Sequence, residues 1–582
     1  VFNNSLYDHK FPIIQIKNIK FGGDDMNKRW FSVLVVLSVL LSMAGSAFAE
    51  DVSSGNINHE LTHDGIGRIV IKSVPLPAGV ILQNGTYTYS GKVLISYKTK
   101  KDMNITDYYN MAVLNDNGTN FKKIFSGVIP QKPKANGIRY MPFQDNKRVL
   151  LGDYVLECTP NIDNCKSTKL LPIVYPSTLE EYPRTTHHWS EIIIAPDNKH
   201  MSWTMLRSDI GAAVAIGVLE RKTDEYVLEN VQIISTVQNF TDDPNNPGFM
   251  IPQLIRGGEV KQFVKGGNAI SLAGALHNST TDSVVQDLDS ETVTQITYTP
   301  GYDETTIFSP DERLGIVMST RFSKTTDPAI FGLMPRPLGT RSMGGLTGIQ
   351  YMYAVDGVRK FREGNIGPVL IDVNRSVYEE GYQGVQLNTD ENWVFRSPMS
   401  WHPDGKRAMW LEMLRGTGDS QIRLRIVKLL DYKPKKPVPI QPTTDHIPYA
   451  IRDLSVLDSV YADIEGKIAG KHSGYATYLD HKSSDNVGIT ETQYVNFSDD
   501  GVNFYNGYEK VHSNYAGESR YEADLQLTGA NQGEMKLRAT FSVAGGPTPA
   551  RLLFDIDADG KPKSYGYATY NGVTLHIEDL SE

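Results

Sequence analysis

The stretch EIIIAPDNKHMSW, Glu191 to Trp203, sets an apolar run, a Pro-Asp turn and a second apolar run side by side. Proline fixes the backbone entering the turn, aspartate accepts nearby backbone N–H groups and asparagine tolerates positive φ, so the segment reads as a tight β-hairpin. The same punctuation recurs at Phe143-Gln-Asp145-Asn-Lys147, Ser309-Pro-Asp311-Glu-Arg313 and His402-Pro-Asp404-Gly-Lys406. These aspartates lie 52, 114 and 93 positions apart, so each of the two long gaps is expected to hold one further repeat with a degenerate turn, giving six in all. Helical periodicity is scarce, while short Val, Ile, Tyr and Thr runs bounded by Gly, Asn, Asp and Pro recur throughout. The pattern predicts an all-β chain whose main body is a six-bladed β-propeller, with Leu114 to Phe121 as the outer hairpin of an early blade. The turn aspartates are expected to be structural.

Beyond this body, Lys433-Pro-Lys-Lys-Pro-Val-Pro-Ile-Gln-Pro442 marks a semi-extended stretch that packs poorly. The propeller is accordingly assigned to 50–432, a proline-rich linker to 433–448 and a small C-terminal β-sandwich or β-barrel to 449–582. Alternating segments such as Tyr521 to Leu527 and Glu534 to Phe541 support the last assignment. Asp555-Ile-Asp557-Ala-Asp559-Gly560 imitates the opening of a calcium loop, but its twelfth position is Gly566, and a hairpin turn is the better reading. Asp499-Asp500-Gly501 reads as another hairpin turn.

At the other end, Lys28-Arg29, the apolar run Trp30 to Met43 and Ala47-Phe48-Ala49 describe a secretory signal peptide over 26–49. Residues 1–25 are expected to be untranslated leader, because Phe21-Gly-Gly-Asp-Asp-Met26 can be encoded by a purine-rich ribosome-binding sequence followed by ATG; the source is then bacterial. The mature product is expected to be a secreted or otherwise extracytoplasmic monomer with no membrane span. A net charge of −9 with interspersed signs gives no basic stripe for nucleic acid. The only cysteines, Cys158 and Cys165, are expected to form a local disulfide.

Residues at the start of each innermost strand ring the mouth of a propeller channel. Counting back from the turns gives His187, His188, Trp189 and Glu191, then Asp303 and Glu304, then Arg396 and Ser397. Glycoside hydrolysis needs a carboxylic acid to protonate the leaving oxygen and a carboxylate as base or nucleophile. Glu191 and Glu304 are the predicted pair, with Asp372 a further catalytic candidate. Arg321 or Arg396 is expected to hold a substrate carboxylate through a bidentate fork, Trp189 to stack on a sugar, and His187 and His188 to contact substrate. No cofactor or metal is expected, although His187, His188 and His402 offer an alternative metal site for elimination from a uronic sugar. A non-enzymatic propeller binding protein or polysaccharide is a further alternative. No serine nucleophile elbow, phosphate loop or metalloprotease motif occurs.

The Pro-Asp-Gly-Lys turns resemble those of TolB-type propellers. Ser190 to His200, Phe308 to Arg321, Gly367-Pro-Val-Leu-Ile-Asp372 with Gly381-Tyr-Gln-Gly384, and Trp401-His-Pro-Asp-Gly-Lys406 also resemble secreted saponin hydrolases, best known from filamentous fungi. The Cys158–Cys165 loop and Tyr494 to Gly501 look similar too. That resemblance implies removal of a glucuronide from a saponin-type glycoside, the substrate being a small glycoside or a related polysaccharide. The chain departs from the family pattern at Ser319, where an aspartate precedes the Thr-Arg pair.

Overall fold

Six strands, Ile81–Tyr87, Tyr140–Pro142, Thr185–Ile194, Glu259–Val264, Asp303–Phe308 and Trp393–Trp401, each begin a four-stranded antiparallel unit, numbered blades one to six in that order; blades two and three are joined edge to edge where Tyr226 and Val227 pair in parallel with Ile173 and Val174. The computed structural model describes residues 66–580, apart from 136, 181–184, 208–210, 277–279, 324–327, 339–343, 418–420, 460–462, 485–486, 515 and 543–549. The expected leader and signal peptide lie outside the described residues. Among those residues no helix is long and apolar enough to cross a membrane.

Each blade grows outward in chain order, except that blade six takes its outermost strand from Ile69–Ser73, which pairs with Ile422–Leu429. The ring is therefore closed by hydrogen bonds between segments more than 350 residues apart. Blades bury both faces, and their middle strands are apolar almost without alternation, as in Leu314–Ser319, where all six residues are buried. The core lies as separate clusters between neighbouring blades, such as Ile95, Met409 and Ile426 between blades one and six, or Ile193, Ile216 and Ile270 between three and four. Burying one such aliphatic side chain stabilises by about 1.5–3 kcal/mol.

All four recognisable turns join the first two strands of a blade. In each, the aspartate accepts the N–H two residues on, at 2.7 Å for Asp145, 2.8 Å for Asp197, 3.4 Å for Asp311 and 2.8 Å for Asp404. The residue after the aspartate takes positive φ in every case. The count of six is right, but one repeat lies elsewhere than expected. The 114-residue gap holds blade four, whose turn is Lys265-Gly-Gly-Asn268. The 93-residue gap holds no extra blade; it contains an insertion between Leu314–Ser319 and Gly367–Asp372 of blade five. The sixth repeat is blade one, with its turn at Thr88-Tyr-Ser-Gly91. The Leu114–Phe121 hairpin does join that blade's outer strands.

The insertion carries a helical run from Gly344 to Lys360 with a π-turn over Tyr351–Asp356. It extends into the C-terminal domain, a single eight-stranded up-and-down sheet running from Ile464–Ala469 to Val573–His576. One face of that sheet buries Tyr478, Tyr494, Tyr521, Met535 and Phe541 together with Phe331, Met334, Leu346, Ile349 and Tyr353 of the insertion. The expected C-terminal β-domain is thus present, but part of its core comes from the propeller.

The proline-rich stretch is extended as expected, yet it is a strap rather than a free linker. Lys435 N–H donates to Asp311 Oδ2 at 2.8 Å, Val438 N–H to Pro310 O at 2.8 Å, Gln441 N–H to Gly266 O at 2.9 Å and Thr443 N–H to Asp197 Oδ2 at 3.2 Å. It visits the turns of blades five, four and three in succession. A Cβ on Gly266 would stand 2.2 Å from Pro439 O, and Gly266 has φ +69°. Blade four carries Gly-Gly because the strap passes there, which is why its turn escapes a Pro-Asp pattern.

Candidate active site

The first strands of all six blades, with Pro437, Val438 and Ile440 of the strap, line an axial cavity of about 350 Å³. The strap lies at the end where the hairpin turns gather. Tyr87, Tyr140, Phe263, Phe308 and Trp401 contribute aromatic wall, and Arg139, Glu191 and Lys261 contribute charge.

Arg139, Glu191 and Lys261 belong to a partly buried ionic cluster. Arg139 Nε lies 3.1 Å from Glu191 Oε2, while Lys261 Nζ donates to Glu259 Oε2 at 2.6 Å and to Glu304 Oε1 at 3.1 Å. Burial pushes the Glu191 carboxyl above its ordinary range, the nearby charges of Glu259 and Glu304 add to this, and Arg139 and Lys261 oppose it. Burial acts the same way on Glu259, but Lys261, the Ser190 hydroxyl and Arg139 together bring it below its ordinary range. Lys261 resists loss of its proton, since three glutamates outweigh the desolvation of its ammonium. Burial lowers His187, partly offset by Glu259. Glu304 Oε2 and His187 Nδ1 are buried and have no hydrogen-bond partner among the described residues.

Glu191 and Glu304, the predicted pair, thus do share an environment, joined through Lys261. Glu259 and Lys261 escaped the sequence reading because blade four has no Pro-Asp turn from which to count back. The other predicted residues fare differently. Trp189 is fully buried and its Nε1 donates to Asp153 Oδ1 at 2.9 Å, so it packs blade three against blade two and is not placed to stack on a sugar. His188 is buried beside it, its ring 4.3 Å from that of Tyr175 and its Nε2 3.7 Å from Asp153. Register shifts between Thr185 and His187, and between His187 and Glu191, break the alternation on which the expected convergence relied.

Arg321 is committed to Asp303 at 2.6 Å and to Gln383 O at 3.1 Å; both partners of the ion pair are buried, so neither is free for substrate. Arg396 donates to Gln83 O at 2.8 Å. Ser319, at the departure from the saponin hydrolase pattern, accepts from Arg321 Nε at 2.9 Å. Asp372 lies outside the cavity lining, at the far end of blade five's third strand, where it accepts Arg375 N–H at 3.1 Å and caps the helix Val373–Tyr378.

The three histidines do not converge. His402 occupies a hairpin turn at the strap end, edge-on to Tyr87 with ring centroids 5.0 Å apart, whereas His187 lies near Glu259 at the charged end. Among the described residues no group of three His, Cys, Asp or Glu side chains is arranged to hold a metal ion. Cys158 and Cys165 are both buried and stand as free thiols, correcting the expected disulfide. Cys165 Sγ donates to Ser167 O at 3.5 Å, and burial, then Cys165, push the Cys158 thiol up, which keeps that sulfur protonated. Asp557 and Asp559 face Arg538 at 2.6 and 3.5 Å within a turn closed by Gly560 N–H to Asp557 O, in keeping with a hairpin and not a calcium loop.

No family model matches the chain, and no curated protein matches it. Solved structures similar to it include a manganese complex of oligogalacturonate lyase, at 10% identity over 64% of this chain and 96% of that one with a TM-score of 0.33. TolB from Acinetobacter baumannii is similar at 11% identity over 68% of this chain and 74% of that one, with a TM-score of 0.25. At such scores these likenesses accompany the propeller fold described above and say nothing of chemistry.

Proposed function

We propose that this chain is an exported glycosidase that removes an anionic sugar, such as a glucuronide, from a saponin-type or related glycoside. The observation that carries the reading is a pair of partly buried carboxyls, Glu191 on the cavity wall and Glu259 bound to Lys261 of that wall, whose affinities for protons are displaced in opposite directions, Glu191 upward and Glu259 downward. Such a split is what separates acid from base or nucleophile in glycoside hydrolysis. Glu191 donates its proton to the leaving oxygen as the glycosidic bond breaks. The Glu259 carboxylate either attacks the anomeric carbon or takes a proton from the water that does. Lys261 keeps Glu259 ionised, and Arg139, partly exposed in the cavity, offers a fork to a sugar carboxylate.

The test is to incubate purified protein with a panel of aryl glucuronides and soyasaponins and to look for released sugar. Release that fails in both Glu191→Gln and Glu259→Gln supports the assignment; release that survives both overturns the site. One observation favours a second reading, a binding module: Arg139 with Glu191, and Lys261 with Glu259 and Glu304, form ion pairs that a purely structural network would also contain. No release from any substrate, with saturable binding of a polysaccharide, selects that reading. Sequencing the N-terminus of the exported product tests the signal peptide, with Glu50 as the expected first residue.

A further inference from the structure

The axial cavity changes character along its length. Each first strand runs from the charged end toward the hairpin turns, so order in the chain is also depth. Arg139 is followed by Tyr140, Met141 and Pro142, Glu191 by Ile192 and Ile193, and Lys261 by Phe263, and all of these line the cavity. Between Glu191 and Pro196, both on the wall, the extended chain spans about 16 Å. Past the charges, Phe263, Phe308, Met399 and Trp401 from blades four, five and six line the same space as Val438 and Ile440 of the strap.

The polar side chains placed among them are engaged by the protein. Trp401 Nε1 donates to Ile307 O at 2.8 Å; the Gln262 amide accepts Phe308 N–H at 2.7 Å and donates to Phe308 O at 3.3 Å. Ser400 Oγ accepts Tyr87 N–H at 2.9 Å, and Ser309 Oγ donates to Asp311 Oδ1 at 2.6 Å. A guest in this half therefore meets mostly carbon, and a polar guest would leave its own hydrogen bonds in water unreplaced. The strap adds a second sign. Its backbone is tied to the turns, yet the Ile440 side chain stands 48% exposed at the cavity, a large aliphatic group with nothing of this chain to cover it fully.

We propose that the strap half of the cavity is a subsite for the apolar part of an amphiphilic ligand, with Val438 and Ile440 as its distal contacts. When the ligand is a glycoside that part is the aglycone. The word aglycone rests on the glycosidase reading; the affinity for an apolar chain does not. At about 350 Å³ the cavity stands near the lower end of small-molecule sites, roughly 300–1,000 Å³. With a pyranose at the charged end about 10 Å of wall remains, room for a chain of about eight carbons or two rings in line. The fitting class is a glycoside of a slender apolar alcohol or phenol, and a broad fused-ring aglycone would project past the strap.

The experiment measures binding of linear alkanols, from butanol to decanol, to the full-length protein by titration calorimetry. Each added CH₂ up to octanol is expected to tighten the dissociation constant by about three- to fourfold. In Ile440→Ser the constant for octanol should rise by about tenfold and that for butanol by less than about twofold, because only the longer chain reaches the strap. Val438→Ser should act in the same direction. Both changes keep the backbone hydrogen bonds that hold the strap, and thermal melts confirm folding before binding is compared. A constant that does not tighten along the series overturns the subsite. Tightening that is equal in wild type and both variants overturns the part assigned to the strap. Release of sugar from octyl and phenyl glucuronides is assayed in parallel. Cleavage with a flat alkanol series overturns the subsite alone, whereas a tightening series without cleavage overturns the glycosidase reading and leaves the subsite standing.

Discussion

At one end of the axial cavity three glutamates share a lysine and an arginine; at the other, the strap lays proline and aliphatic side chains over the hairpin turns. The same six strands build both ends. The strap end is held mainly by backbone hydrogen bonds and one bridging histidine, His200, whose Nδ1 lies 2.6 Å from Asp197 and whose Nε2 lies 2.9 Å from Asp445 of the strap. Its charges are matched locally and serve closure. The charged end crowds three acids around fewer cations and leaves Glu191 displaced upward. In a single ring the blades supply the same architecture at both ends, and an uneven ionic balance only at one.

That contrast can be broken from either end. The largest effect is expected from Glu259→Gln, which should lower turnover of a cleaved glycoside by about 10²–10⁴-fold, in steady-state assays, with the far-ultraviolet spectrum unchanged. A strap-end change should do the reverse: Gly266→Ala drives a Cβ toward Pro439 O and strains a positive φ, so thermal unfolding should show a loss of about 1–3 kcal/mol with turnover per folded molecule retained. His200→Ala leaves the buried face of Asp197 without its partner and should cost about 1–3 kcal/mol in denaturant titration. Lys199, half exposed and 3.6 Å from Asp445, should contribute less than about 0.5 kcal/mol when replaced by alanine in the same titration.

Glu191 at the charged end and Asp197 at the strap end answer pH with opposite signs. Glu191 binds its proton more tightly folded than unfolded, so its contribution is present below the ordinary glutamate value and is lost as pH rises through the raised folded value. Asp197 is drawn down to about 2, where burial is outweighed by His200 and backbone N–H groups; its contribution is present above the ordinary aspartate value and is lost as pH falls toward 2. Thermal melts across pH should therefore lose their neutral-side decline in Glu191→Gln and their acid-side decline in Asp197→Asn. A common response in both variants would deny that the ends are electrostatically distinct.

Much of the ring was legible because its turns are local. Asp145, Asp197, Asp311 and Asp404 each satisfy backbone groups within two or three residues, so a short window of sequence contains the whole physical argument. That Glu191 and Glu304 share one environment was legible for the same reason, by counting from such turns. Trp189 was misread because strand irregularities decide which side chain meets the axis and which meets blade two, and no spacing records them. Glu259 and Lys261 were hidden behind a turn whose sequence answers to the strap some 170 residues later. The insertion helix was illegible for a different reason: Gly344, Gly345, Gly348, Gly357 and two tyrosines, Tyr351 and Tyr353, give it little intrinsic helicity, and it is stabilised by the two cores it enters.

Ring closure by Ile69–Ser73 imposes an order on biosynthesis. The strand that seals blade six is made early and must wait, unpaired, until Ile422–Leu429 emerges. Phe331, Met334 and Leu346 are covered later in synthesis, because the sheet that covers them ends near His576. At ordinary translation speeds that interval is on the order of ten seconds or more, during which a greasy segment lies uncovered. A ribosome-bound chain of this protein therefore exposes apolar surface until its last strands arrive. A gene cut at the apparent domain boundary would yield an aggregating fragment in place of a free-standing ring.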